Sequence, residues 1–303
     1  MDLSRTPDWT IGLAGCLCVL TLLALLPGPA LIVALVILIA VVGMPHGGLD
    51  HLVGRALLRP RVGRHWLPTF LLGYLAIMAG MFVGWCLAPL PTLLGFVVLS
   101  ALHFGTTDEQ PQSLGQIAIA CLRGGMVVWV PALARPAEFG QLLEWVVPGE
   151  QWADFLTMPI TRWILGLALV LVTGLALASS APERLRSLTF LTLFALTPSL
   201  VGFATYFCGW HSVNELSRLA RQADSSNPLA GLKRVLVAAA PLSGAAVLLT
   251  FAGWWFVSSQ EEVPASIVQT VFVGLSIVAV PHMLLHLVAE HRKVNPFTSE
   301  VGR

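Results

Sequence analysis

The feature that most limits how this chain can fold is a succession of nearly uncharged apolar runs, each close to the length needed to cross a bilayer. A transmembrane helix needs roughly 20 apolar residues. Segments 9–27, 29–48, 66–88, 91–106, 114–134, 160–179, 188–210, 232–258 and 264–288 meet or approach that length. Only 11% of the 303 residues are charged, about half the share found in soluble domains, and the mean hydropathy is +0.80. The expected fold class is therefore all-α, a polytopic transmembrane bundle of about 8–10 helices, forming a single domain over residues 1–303. No internal repeat or low-complexity segment divides it.

Net charge is +1, so no basic field argues for nucleic acid; the few cations report topology instead. Arg55, Arg59, Arg61 and Arg64 lie in the loop from His51 to His65, which the positive-inside rule assigns to the cytoplasm with the N-terminus on the same side. The first apolar run has no obvious cleavage site after it and reads as a retained span rather than a signal peptide. The acidic turn Gln260-Glu261-Glu262 then falls outside, and the last span returns to a cytoplasmic C-terminal tail at His291-Arg292-Lys293. A simple crossing by 188–210 would break this count, because it would put the basic stretch Arg218 to Arg234 outside. The parity is restored either by a hairpin broken at Thr197-Pro198-Ser199 or by entry of 139–158 into the membrane as an interfacial or re-entrant piece. The five cysteines are odd in number and sit in apolar runs, where they read as small buried hydrophobes.

The polar residues that interrupt the apolar runs are mostly histidines. Gly43-Met44-Pro45-His46-Gly47-Gly48-Leu49-Asp50-His51 closes one run; His103, His211, and the pair His282 and His286 lie at or near the ends of others. Ionisable groups inside a membrane are costly and mark functional sites. Neutral imidazole is the commonest ligand for iron, zinc or copper, so several histidines at one depth point to a metal, with a buried histidine bonded to a carbonyl as the bland alternative for any single one. His65 and His291, among or beside cations, read as solvated. Asp50 and Glu215 each follow a histidine by four residues, the spacing of one helix face. Either carboxylate could orient an imidazole through its second N–H or ligate directly. Asp108, beyond a glycine after His103, reads as a turn residue. Gly47, Gly48 and Gly105 leave space beside these groups or serve close helix packing.

Two membrane chemistries are excluded by residue count. The chain has no HxxHH box of the kind used by membrane di-iron desaturases, and its single HxxxH is His282 to His286. Nor does it have a lysine within a span for a retinal Schiff base, since Lys233 begins a span and Lys293 lies in the tail.

Taken in order, the GMPHGGLDH segment at 43–51, His103-Phe104-Gly105, Tyr206-Phe207-Cys208-Gly209-Trp210-His211-Ser212 and Pro281-His282-Met283 resemble the Brp/Blh family of integral-membrane β-carotene 15,15′-dioxygenases, over roughly residues 30–290. The resemblance implies cleavage of the central double bond of β-carotene by O₂ to give two retinal molecules, at a non-haem Fe(II) held by histidines. Position by position it carries the iron-binding role to His46, His103 and His211. The family pattern reads His-Ser-x-x-His at the third motif, where this chain has Glu215 in place of the last histidine. Glutamate is a competent iron ligand. The expected metal set is thus His46, His103, His211 and Glu215, with His286 as the alternative fourth ligand, and Asp50, His51 and His282 around them. Phe104, Trp129, Tyr206, Phe207 and Trp210 are expected to line a polyene tunnel. The implied partners are a carotenoid, O₂ and membrane lipid, and the implied location is the bacterial inner membrane. A family member that has lost or altered cleavage and binds a carotenoid or metal is the alternative; a transporter ranks last, because Arg123 is the one mid-span charge visible and the histidines gather on one side.

Overall fold

In the computed structural model, which describes residues 9–26, 28–106, 113–257, 263–292 and 297, the described residues form helices and short connections with no strand. α1 (Trp9–Ala24) is followed by α2 (Gly28–Leu38). α2 does not simply end. It passes into a π-helical turn, Ile39–Gly43, then a 3-10 segment, Met44–Leu49, before α3 (Asp50–Val62). Gly63 takes a left-handed φ of +55°, which a side chain would resist, and the chain reverses into α4 (Trp66–Leu87), where Phe70 fits against the bare α-carbon of Gly54.

The next elements are α5 (Pro89–Thr106), α6 (Leu114–Gly124), α7 (Met126–Ala134), α8 (Pro136–Val146), α9 (Trp152–Thr157) and α10 (Pro159–Ala178). Proline begins α5, α8 and α10 because the first turn of a helix has no use for that N–H. α6 and α7 meet at a bend of 51°. α11 (Ala181–Leu196), α12 (Ser199–Ala204), a second π-helical stretch at Thr205–Ser212, and α13 (Val213–Ala223) follow, and two long helices, α14 (Pro228–Val257) and α15 (Val263–His291), complete the bundle.

Among the described residues, five helical stretches are long and apolar enough to cross a membrane, or six if the bent α6–α7 pair counts as one span. The chain is an integral membrane protein. Most of the expected apolar segments appear as helices with nearly the expected limits, while 188–210 is broken. Phe190 lies 4.9 Å from Tyr206 and 5.1 Å from Trp210, ring centre to ring centre. In one continuous helix residues 190 and 210 would stand about 30 Å apart, so the chain has folded back at Thr197-Pro198. Segment 139–158 also reverses: α8 and α9 pack on each other, with Gly140 against the backbone of Ala153. Neither α8, with 11 residues, nor α9, with 6, can cross a bilayer. Of the two ways to restore the charge pattern, the hairpin at Thr197-Pro198 is built into the fold. Asp108, Glu261, Glu262 and Lys293 lie outside the described residues.

The cysteines are free thiols, Cys16 and Cys208 buried. The mid-span Arg123 is paired, its Nη1 donating to Glu183 at 3.0 Å and its Nη2 to Ser179 at 3.0 Å, and Glu183 also accepts from Arg186.

Small residues decide how closely the helices approach. A β-carbon on Gly105 would sit 1.9 Å from the carbonyl oxygen of Ala120, and one on Gly124 would sit 2.0 Å from that of Ala101. α5 and α6 thus touch backbone to backbone, the small-residue packing that membrane helices rely on when no hydrophobic drive separates protein from lipid. Since His103 is two residues before Gly105, this contact also sets its depth. Gly105→Val is expected to force the pair apart and destabilise the protein by about 1–3 kcal/mol or more, seen as a lower melting temperature in detergent.

Candidate metal centre

Four histidines from four parts of the chain converge. His46 comes from the 3-10 segment, His103 from the last turn of α5, His211 from the π-helical stretch before α13, and His282 from α15 immediately after Pro281. Their rings form a closed circuit: His46 to His211 5.1 Å, His211 to His103 5.3 Å, His103 to His282 5.7 Å and His282 to His46 5.3 Å between ring centres. Adjacent planes are inclined by 70–83°, so neighbouring rings meet edge to face rather than stack. His46, His211 and His282 are buried.

The local backbone explains the convergence. Both π-helical turns lie next to a histidine of the circuit, and such turns arise where a helix must re-aim a side chain. They also touch each other, since Gly43 faces the ring of Phe207 closely enough that a β-carbon would lie 2.6 Å from it. Gly47 lies beside His282, where a β-carbon would stand 3.4 Å from Nδ1, and Gly48 packs on Ser243 and the backbone of Ala239 in α14. The glycines of the first motif thus serve both purposes expected of them.

Hydrogen bonding divides the ring nitrogens into two kinds. His282 Nδ1 is 2.8 Å from Asp50 Oδ1, whereas His46 Nδ1 and His211 Nε2 are buried with no hydrogen-bond partner. A buried polar atom without a partner is costly, and a neutral imidazole nitrogen is a donor suited to a metal ion. Asp50 Oδ1, His282 Nδ1 and His286 Nε2 also lie within 4.8 Å of one another. That trio is the one such group of histidine, cysteine or carboxylate donors among the described residues, and its atoms already bond among themselves. The four-imidazole set offers unpartnered nitrogens and a donor type suited to a first-row metal.

The expected surroundings are arranged differently from the sequence reading. Glu215 is buried but points to Arg218, whose Nε donates to Oε2 at 2.9 Å and whose Nη2 donates to Oε1. The i, i+4 argument put Glu215 on the face of His211, yet His211 sits in a π-helical turn, where the α-helical period does not carry over. His286 stacks near His282, with ring centres 4.3 Å apart, and its Nε2 is 3.5 Å from Asp50. His51 turns back to the carbonyl of Gly48 at 3.2 Å. His282, expected beside the ligands, is the fourth member of the circuit, and Asp50 bonds to it rather than to His46 or His51. Tyr74, which donates to Asp50 Oδ2 at 2.8 Å, had no signal in the sequence beyond being one of two tyrosines.

The circuit closes one end of an apolar cavity of about 350 Å³. On α5 its wall runs from Leu93 to Phe104, beside His103, and on α15 from Ile267 to Met283, beside His282. Between Ile267 and His282 the wall extends about 22 Å at 1.5 Å per residue. Phe104 and Phe207 flank His211 at 5.1 and 6.0 Å. Of the other aromatics expected at a tunnel, Tyr206, Trp129 and Trp210 pack into the neighbouring core.

Residues 37–289 match the family described as Beta-carotene 15,15'-dioxygenase. The chain belongs to that family. It is 31% identical to "Beta-carotene 15,15'-dioxygenase" of an uncultured marine bacterium, 66A03, over 263 residues, 82% of this chain and 90% of that relative. It is 28% identical to "Probable beta-carotene 15,15'-dioxygenase Blh" of Halobacterium salinarum over 274 residues, 80% of this chain and 79% of the relative. No solved structure matches. Family membership makes the chain an enzyme of the carotenoid-cleaving dioxygenase class, and the histidine circuit lies within the matched residues.

The Glu215–Arg218 pair yields a direct test of what the carboxylate does. Arg218→Leu leaves a buried charge uncompensated and is expected to cost about 3–5 kcal/mol. The double variant Glu215→Met with Arg218→Leu is expected to recover most of that loss, measured by detergent-denaturant unfolding of the metal-free protein.

Proposed function

We propose that this chain holds one Fe(II) between His46, His103, His211 and His282 and cleaves the central 15,15′ double bond of β-carotene with O₂, giving two molecules of retinal. The observation that carries the reading is the circuit of four imidazoles, three of them buried and two with unpartnered nitrogens, at the end of a long apolar cavity. The family and its named relatives support the substrate. The donor set fits iron: neutral imidazoles suit a first-row metal, and four of them leave coordination positions for O₂. When bound, the ion would supply the activation of O₂ that a closed-shell polyene otherwise resists.

The residues of the chain account for the rest. The apolar wall binds a hydrocarbon without hydrogen-bond demands and excludes water from the reacting bond. Phe104 and Phe207 hold the polyene against the histidine end by contact with its π face. His282 is kept in one tautomer by Asp50, so that its Nε2 lone pair faces away from the carboxylate. Glu215 stays with Arg218 and keeps the helix end in place. We further read the membrane as the bacterial inner membrane, with both termini cytoplasmic, from the arginines around α3, and lipid as the route by which the substrate arrives.

Alanine at His46, His103, His211 or His282 is expected to abolish iron retention while leaving a folded bundle, whereas Glu215→Ala and His286→Ala retain iron, as measured by metal analysis of the purified protein. Two or more of the four histidine variants keeping full iron would overturn the ligand set. Ser100 lines the cavity one turn before His103, so Ser100→Phe is expected to cut retinal formation from β-carotene at least tenfold with iron content unchanged.

A further inference from the structure

Asp50 is the first residue of α3 and is fully buried, at 0% exposure. Its carboxylate has three neighbours: His282 Nδ1 at 2.8 Å on Oδ1, Tyr74 Oη at 2.8 Å on Oδ2, and His286 Nε2 at 3.5 Å from Oδ1. Among the described residues no arginine or lysine reaches it. A carboxylate in that position is costly unless paired, and its partners are a phenol and two imidazoles. A cation in the histidine circuit would be the missing countercharge.

The geometry has a further consequence. A carboxylate accepts, so His282 Nδ1 carries the proton and Nε2 is left as the lone pair, the arrangement that orients a metal-binding histidine. Asp50 is itself held. Tyr74 comes from α4, and its hydroxyl oxygen, with a single proton to give, lies 2.8 Å from Asp50 Oδ2 and 3.3 Å from the carbonyl of Val278, one turn before His282. The shorter, charged acceptor takes the proton. Tyr74 therefore ties α4 to the start of α3 while leaning on the helix that carries His282.

We propose that Tyr74 and Asp50 form the positioning pair of this centre: Tyr74 fixes the Asp50 carboxylate, and Asp50 fixes the tautomer and ring orientation of His282. The assignment rests on the four-histidine reading above and deepens it, naming Tyr74 as a residue that acts on the centre through Asp50 and His282.

The test uses the full-length protein in detergent, titrated anaerobically with Co²⁺ as a spectroscopic stand-in for iron. Tyr74→Phe and Asp50→Asn are each expected to weaken Co²⁺ binding by about 10–100-fold and to shift its ligand-field absorption, with metal-free melting temperatures close to wild type. His282→Ala is expected to lose the ion. If both positioning variants bind Co²⁺ with wild-type affinity and spectrum while His282→Ala loses it, the positioning pair is wrong and the four-histidine reading stands. If His282→Ala binds as wild type does, that reading fails first and takes this one with it. Lowered metal-free melting with an unaltered Co²⁺ spectrum assigns the pair a purely structural role and overturns the proposal. Should Asp50→Asn fail to fold, Tyr74→Phe, which removes one hydroxyl, decides alone.

Discussion

The constraint on which this structure depends is the absence of water at the depth of its functional groups. In hydrocarbon a polar group finds its partner in the protein or goes without. The hydroxyls of Thr92, Thr106 and Thr250 bond back to carbonyls four residues earlier in their own helices. Trp85 of α4 reaches Ser276 of α15 at 2.7 Å. Charges are paired in small groups, Arg123 with Glu183 and Arg218 with Glu215. Against that background the unpartnered nitrogens of His46 and His211 carry information, because an imidazole left bare at such depth is retained for something that binds it. The hydroxyls of Thr205 and Ser212, on the same π-helical stretch as His211, are likewise buried without partners, which marks that stretch as shaped by the site rather than by its own hydrogen bonding.

The second constraint is aim. Four imidazoles on four helical segments meet in one circuit, and a regular α-helix offers only fixed directions, about 100° apart. The chain changes period where it has to. A π-helical turn and a 3-10 segment bring His46 inward, a π-helical stretch does the same for His211, and Pro281 frees a turn of α15 from its ladder just before His282. His103 needs no such device. It sits in the last turn of α5, and its position is set by the backbone contact that Gly105 and Gly124 permit between α5 and α6.

What the sequence made legible follows from these two constraints. Hydrophobic length is a local property, so the spans and the all-α class could be read directly, as could the membrane setting. The three histidines embedded in specific motifs, His46, His103 and His211, were also identifiable, because an imidazole at the end of an apolar run is expensive wherever it lies. The partners of Glu215, Asp50 and His282 were not. They depend on which side chain each one meets across the bundle, and the only rule available, four residues per shared helix face, assumes an α-helix where the chain is π-helical. His282 lies more than 230 residues from its partner Asp50, beyond any pattern of spacing. Tyr74 sits in an apolar helix with no motif around it, and its importance comes from the three-dimensional neighbourhood alone. The hairpin at Thr197-Pro198 occupies the middle ground, since charge parity demanded a reversal and proline named one place for it, but only packing of Phe190 on Tyr206 and Trp210 fixes the fold-back.

The placement of the histidines in the cavity bears on how a symmetric polyene could be handled. On α5, on α15 and on the π-helical stretch the apolar wall terminates at the circuit, and it extends away from it in one direction. A carotenoid whose central bond lies at the histidines can put one half into this cavity, against the walls of α5, α14 and α15, while its other half must leave the centre by another path. The two halves, chemically identical, would then meet different surfaces. Registration of the reacting bond would come from the half that fills the cavity, so lining residues far from the histidines, such as Ile267 and Leu249, would bear on which bond is presented as well as those beside them.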